Sequence, residues 1–390
     1  MKEKIAFVVQ RYGLEVNGGA ELHCRQLAEH LLKYYDIDIF TTKAIDYMTW
    51  KDEYQKNIEI INGITVRRFS VERERNRAEF DEINSLCIRG DLPEDREKEW
   101  IEKQGPYVPK LISCLIKNKN QYKAVIFFTY LYYTTAIGIQ EFQGNSILIP
   151  TAHDEVFLNL KNTNRIFMSP KGIFYNTEEE KRLVVNKFNN SYIYSDIGGV
   201  GVDIPDDINI HRFKEKYKLQ NYIIYVGRID EGKNCNILFQ YFLEYKKRNK
   251  NDLKLVLMGK PVIEIPKSND IIPLGFVSDQ DKFDGIAGSK ALVLPSRFES
   301  LSMVVLEALA LQKPVILNEE CDVLKAHCIK SNAGLYYRNY FEFEGELNYL
   351  LNNPNISKVM GENGKKYVDD NYRWDIIIEK LLKMIEYVSK

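Results

Sequence analysis

No uninterrupted apolar run in this 390-residue chain approaches the roughly 20 residues that a membrane-spanning helix requires. The opening MKEKIAFVVQRYG has about five apolar residues after its charges, too few for the apolar region of a secretion signal. Cysteine is sparse and scattered: Cys24, Cys87, Cys114, Cys235, Cys321 and Cys328 include no pair with the two-residue spacing of a zinc or redox site. Reduced thiols and a cytoplasmic setting are expected, while peripheral contact with a membrane surface stays open. An excess of charge is also missing, since 54 Lys and Arg against 55 Asp and Glu leave a net charge of -1. That balance removes the usual electrostatic basis for nucleic-acid binding. No repeat and no low-complexity segment is present.

The chain does carry 45% hydrophobic and 28% charged residues, a composition that supports packed interiors. One hydrophobic core usually stops growing at about 250 to 300 residues, so this length predicts two domains. Lys4 to Gln10 is a β-branched and aromatic run, followed by a glycine-bearing loop and by Ala20 to Leu32, apolar at helical spacing. Asp36 to Thr41, Ile64 to Phe69, Ala124 to Phe128, Ser146 to Ile149, Gly172 to Tyr175 and Tyr192 to Tyr194 extend the strand signal. The charge-dense VERERNRAEF and PEDREKEW interrupt it with a helical excursion at about 71–110, read as solvated helices or as a lid over an acceptor. A second series begins with Tyr222 to Val226 and continues with Leu253 to Met258, Ile271 to Leu274, Ala291 to Leu294 and Val315 to Leu317. Trp374 to Val388 closes the chain as an amphipathic helix. The fold class is therefore α/β, with domains at 1–205 and 206–373 and a final helix at 374–390. Two such domains would turn the carboxyl ends of their strands toward one cleft.

Three loops carry the candidate chemistry. The first holds Gly18 and Gly19 at a helix start, where close backbone approach and exposed N–H groups favour an anion. It lacks the G-x-G-x-x-G spacing of a dinucleotide site. The second follows YIIYV with Gly227, Arg228 and Lys233, two cations that can meet one phosphate ligand or merely flank Asp230 and Glu231 at the surface. The third, PSRFESLSMVVLEALA at 295–310, places Glu299 in a loop and Glu307 on a helix beginning near Leu301 or Ser302. Carboxylates accept hydrogen bonds from paired hydroxyls, so these two suit a sugar and a ribose; equally, Glu299 could cap the helix and Glu307 satisfy a buried group. Asp36 and Asp38 have the Asp-x-Asp letters of a metal site but fall inside an expected strand.

GGAE at 18–21, GRIDEGKN at 227–234, and ESLSMVVLEALA running on to KPVI at 313–316 resemble, in order and spacing, the family 4 retaining glycosyltransferases of the GT-B fold. The resemblance implies two facing Rossmann-like domains, the first for acceptor and the second for donor, and a last helix crossing back to the first. It implies that Arg228 and Lys233 bind the donor diphosphate, that Glu299 contacts the donor sugar, and that Glu307 holds the ribose hydroxyls. Gly18, Gly19, Gly227 and the stretch Ser300, Leu301 and Ser302 would line the donor, and His153 in PTAHDE would reach the sugar. Asp203 resembles a positional residue before the connector. Many relatives have glycines where Ser300 to Ser302 stand here, which bears on donor preference. No metal and no cofactor are implied: the partners are a nucleoside diphosphate sugar, with UDP or GDP expected, and a glycan, glycolipid or other hydroxyl acceptor, as in surface polysaccharide assembly. A nucleotide-sugar epimerase or phosphorylase of the same fold, and a non-catalytic nucleotide- or carbohydrate-binding protein, are the competing readings.

Overall fold

The computed structural model describes residues 2–16, 18–142 and 144–390. By its internal contacts the chain divides into two compact units, Met1–Val200 together with Trp374–Lys390, and Gly201–Arg373.

The first unit is built on β1 (Lys4–Val8), β2 (Asp36–Thr42), β3 (Ile58–Ile61), β4 (Ile64–Phe69), β5 (Ala124–Phe128), β6 (Ser146–Ile149), β7 (Gly172–Tyr175) and β8 (Tyr194–Ile197). They form one sheet in the order β3-β4-β2-β1-β5-β6-β7-β8. All neighbours are parallel except β3 with β4. The central strands AVIFF and SILI are buried along their whole length, as strands covered by helices on both faces must be. β3 is not among the expected strands because Ile58 and Ile60 point to solvent on an edge. Its signal is the Asn62-Gly63 turn, whose positive φ values of 49° and 83° suit a tight hairpin. β8 begins two residues later than the periodicity predicts.

The charged excursion is helical, with helices Arg77–Arg89, Glu97–Gln104 and Pro109–Lys117, but it is more than a solvated face. Ile83, Cys87, Trp100, Ile101, Leu111 and Leu115 sink into the core beneath it. Glu97, read from its charged surroundings as exposed, is 7% exposed. Its two oxygens accept the N–H groups of Lys161 and Asn162, each at 2.8 Å, and so close the open amino end of helix Lys161–Met168, whose own cap position is Leu160.

The closing helix Trp374–Val388 belongs to the first unit, where Ile377, Leu381, Met384 and Ile385 join the core with β1, β5 and β6 residues. Gly172 on β7 admits it closely: a Cβ there would stand 3.1 Å from Val388 and 3.2 Å from Met384.

The second unit contains β9 (Tyr222–Val226), β10 (Lys254–Met258), β11 (Ile271–Gly275), β12 (Leu292–Leu294), β13 (Val315–Asn318) and β14 (Gly334–Tyr337). The sheet is all parallel in the order β11-β10-β9-β12-β13-β14. Counted within the unit this is 3-2-1-4-5-6, the doubly wound order, and its direction reverses between β9 and β12. The first unit reverses in the same way between β1 and β5. β14 is an additional strand outside the expected set. All six cysteines are free thiols, and among the described residues no helix is long and apolar enough to cross a membrane.

Candidate active site

In a doubly wound sheet, the loops after the two strands at the reversal diverge above and below it and leave a crevice at the carboxyl ends. In the second unit those are the loops after β9 and β12, which carry seven of the candidate residues: Gly227, Arg228, Lys233, Glu299, Ser300, Leu301 and Ser302. Gly227 leaves β9 at φ 150° and donates its N–H to Met258 at 2.9 Å. The buried Tyr225 hydroxyl donates to the Arg228 carbonyl at 2.6 Å, fixing the start of the loop. Asp230 organises the turn: it takes the Lys233 N–H at 2.8 Å and pairs with the exposed Arg228 guanidinium. Lys233 then reaches across the reversal to Glu299, Nζ to Oε1 at 2.7 Å. Asn234 and Asn318 both donate to the Pro295 carbonyl, at 3.2 and 3.0 Å, tying the two loops and β13 together.

The helix after β12 is Met303–Ala310, starting one or two residues later than expected. Its cap position, Ser302, has φ 68° and makes no side-chain cap, so Glu299 is not the cap. His327 donates Nε2–H to the Leu301 carbonyl at 2.7 Å and holds the buried Leu301 turn in place. Glu307 lies one turn inside the helix, 9% exposed, with Lys282 Nζ 2.8 Å from Oε1. Burial raises its carboxyl above the ordinary range, and Lys282 draws it back.

In the first unit, Gly18 is extended at φ 176° and Gly19 begins helix Gly19–Leu31; Asn17 of the same loop lies outside the described residues. His153 is half-buried after β6, with Nδ1 3.6 Å from Glu155. The Tyr130 hydroxyl donates to Glu155, whose carboxyl is raised by burial and lowered by His153 and Tyr130. Next to His153, the Ala152 N–H donates to Glu180, a fully buried carboxyl pushed up to about 8 by desolvation. Asp203 is exposed at the beginning of the second unit. Asp38 sits in β2 with Arg67 at 3.1 Å, Lys4 at 3.4 Å and the Tyr122 hydroxyl at 2.7 Å, which makes it a structural anchor.

Residues 206–367 match the family model of glycosyl transferases group 1. The chain is a glycosyltransferase, and its second unit carries the group 1 region. An uncharacterized glycosyltransferase of Methanocaldococcus jannaschii is 22% identical over 95% of this chain and 95% of its own length. The capsular polysaccharide biosynthesis glycosyltransferase CapM of Staphylococcus aureus is 26% identical over 45% of this chain and 49% of its own. Among solved structures, HepE of Anabaena, crystallised with UDP and glucose, superposes with a TM-score of 0.72 at 13% identity, covering 98% of this chain and 99% of that one. The fold is GT-B.

Four residues of this glycosyltransferase have roles near these loops that the sequence left unassigned. Gly259 follows β10 at φ 142°, and a Cβ on it would stand 1.9 Å from the Gly227 carbonyl oxygen. With Gly275 at φ 69°, the strands β9, β10 and β11 each end on or are followed by a positive-φ glycine, a strand-end pattern visible in the letters. Lys282 gave no such signal, and Glu21, the last letter of GGAE, gave no sign of its partner, because each acts through a residue on another element.

Proposed function

We propose that this glycosyltransferase moves a sugar from a nucleoside diphosphate sugar to a hydroxyl acceptor with retention of configuration and without a metal ion. The observation that carries the reading is the Lys233–Glu299 pair at 2.7 Å, which spans the point where the second sheet reverses. There a cation and a carboxylate are held side by side: the first suits a diphosphate oxygen, the second a sugar hydroxyl. Arg228, on the same loop, adds a second cation, and the uncapped start of helix Met303–Ala310 adds N–H dipoles. Together they supply the charge stabilisation that a departing diphosphate needs. Glu307 would hold the ribose hydroxyls, His153 would meet the sugar, and the loop Gly18-Gly19 would lie near the acceptor.

In a retaining transfer of this kind the leaving phosphate oxygen takes the proton of the incoming hydroxyl on the face it departs from. The acceptor oxygen bonds to the anomeric carbon as the diphosphate oxygen leaves with its electron pair, so no second carboxylate is needed as a base. Two similar proteins support the substrate class: HepE was solved with UDP and glucose, and CapM acts in capsular polysaccharide biosynthesis. We take UDP or GDP as the nucleotide and a polysaccharide or glycolipid as the acceptor. The setting is cytoplasmic, at the inner face of the membrane when the acceptor is lipid-linked.

The test is turnover of UDP-, GDP- and ADP-sugars, with and without a chelator, followed by anomeric analysis of the product. Arg228→Ala or Lys233→Ala should each lower the rate roughly a hundredfold, the usual scale for removing one charge-stabilising group. Near-normal rates in both variants, or no turnover of any nucleotide sugar by the wild type, would refute the reading.

A further inference from the structure

At the reversal of the first sheet, the end of β1 and the start of helix Gly19–Leu31 meet in a buried charge network. Glu21, 6% exposed, concentrates its contacts on one oxygen. Oε1 accepts from Gln10 Nε2 at 2.8 Å and from Arg11 Nε and Nη2 at 2.9 and 2.6 Å. Arg11 is equally confined, since its other terminal nitrogen donates to the Ile45 carbonyl at 2.7 Å and its guanidinium lies over Tyr47. Gln10 is anchored in turn by the Thr129 hydroxyl at 3.2 Å, from the first residue after β5. Thr129 itself has φ 61°, a strained backbone of the kind retained at functional positions.

Oε2 is different: among the described residues no protein group donates to it. It projects over Gly18, where a Cβ would stand 2.1 Å from it, so the glycine leaves that oxygen uncovered. On a residue only 6% exposed, this oxygen has no donor among the described residues and is left open to one from a ligand. Arg11 already balances the charge, so the missing donor need not be a cation, and a second anion would be repelled. A neutral hydroxyl fits. We infer that Glu21 Oε2 binds a ring hydroxyl of the acceptor sugar, with Arg11 and Gln10 fixing the carboxylate in the orientation that offers it. This rests on the transferase reading above and adds to it a specific acceptor contact.

Glu21→Gln is the direct perturbation. The three donors at Oε1 require an oxygen there, so the amide N–H2 takes the place of Oε2 and replaces an acceptor by a donor. With the donor sugar found in the turnover screen, transfer to octyl glycosides of glucose, galactose and N-acetylglucosamine is measured, along with the monodeoxy forms of the best acceptor. The expected result is a rise of roughly 10- to 100-fold in acceptor KM for Glu21→Gln, the range for an unmatched bond to a charged group. One monodeoxy acceptor should show the same rise on the wild type and no further rise on the variant. A melting curve separates this from unfolding, and the deoxy series on the wild type decides alone if the variant does not fold. Equal use of every monodeoxy acceptor by the wild type, an unchanged KM in the variant, or additive losses would overturn the inference. Failure of the wild type to turn over any nucleotide sugar would instead overturn the transferase reading.

Discussion

Replacing Gly259 by alanine tests whether the glycine cluster at the strand ends shapes the loop that bears Arg228 and Lys233. The residue leaves β10 at φ 142°, a region that costs a residue bearing a Cβ about 1 to 2 kcal/mol. Its new methyl would stand 1.9 Å from the Gly227 carbonyl oxygen and 2.7 Å from its carbon, and both are backbone atoms that cannot swing aside. Overpacking of this kind costs about 1 to 3 kcal/mol more. The combined loss of about 2 to 5 kcal/mol corresponds to a Tm lowered by about 4 to 20 °C for a unit of this size. Because the relief available is a shift of Gly227, the displaced loop also carries Arg228 and Lys233 away from their positions, so nucleotide affinity should fall with stability. Differential scanning calorimetry and titration with UDP and GDP measure the two effects. Gly19→Ala is the control: it lies in a helix with nothing within 4 Å of its Cβ, and alanine there should hold or raise Tm. A Gly259→Ala protein with wild-type Tm and wild-type nucleotide affinity would refute the steric argument.

Three further outcomes are expected. His23, fully buried, bonds the Gly199 carbonyl at 2.9 Å, and desolvation lowers its pKa from 6.5 to about 4. The unfolded chain therefore binds a proton first: the contribution is complete above pH 6.5 and is lost as pH falls toward 4, about 3 kcal/mol in all. Urea midpoints across that window should drop in the wild type, and an equally steep drop in His23→Gln would contradict the assignment. Glu97→Ala uncaps helix Lys161–Met168 by removing both bonds to its first N–H groups, at a cost of about 2 kcal/mol visible in thermal melts. In Lys233→Ala the Glu299 carboxylate loses its partner and repels a diphosphate, so calorimetric UDP affinity should fall by more than in the double variant with Glu299→Gln. Identical affinities for the two proteins would show that the carboxylate does not face the phosphates.

Much of the fold is legible in the letters because buried parallel strands leave a local mark. YIIYV, AVIFF and SILI are continuous apolar runs between helical patterns, and WDIIIEKLLKMIEYV shows its buried face at helical spacing. Strands without that mark escape: the exposed Ile58–Ile61 edge is legible only through its Asn-Gly turn, and Gly334–Tyr337 lies half-exposed at the other sheet's end. The excursion after residue 70 shows the reverse error. Its charges suggest a wetted surface, yet Trp100 and Ile101 are core and Glu97 is a buried cap for a helix more than sixty residues away.

By itself the sequence determined an alternating α/β chain with two cores, a final amphipathic helix and three loops bearing cations, carboxylates and glycines, since periodicity and turn residues act over a few positions. Only the tertiary structure decided which of those groups meet. The 3-2-1-4-5-6 strand order places β12 beside β9, and so sets Lys233 against Glu299, 66 residues apart. The equivalent reversal in the first unit brings Thr129 to Gln10 and leaves one oxygen of Glu21 open. Local patterning reports that a residue is buried or exposed; the partner it finds depends on strand order, which nothing local in the chain encodes.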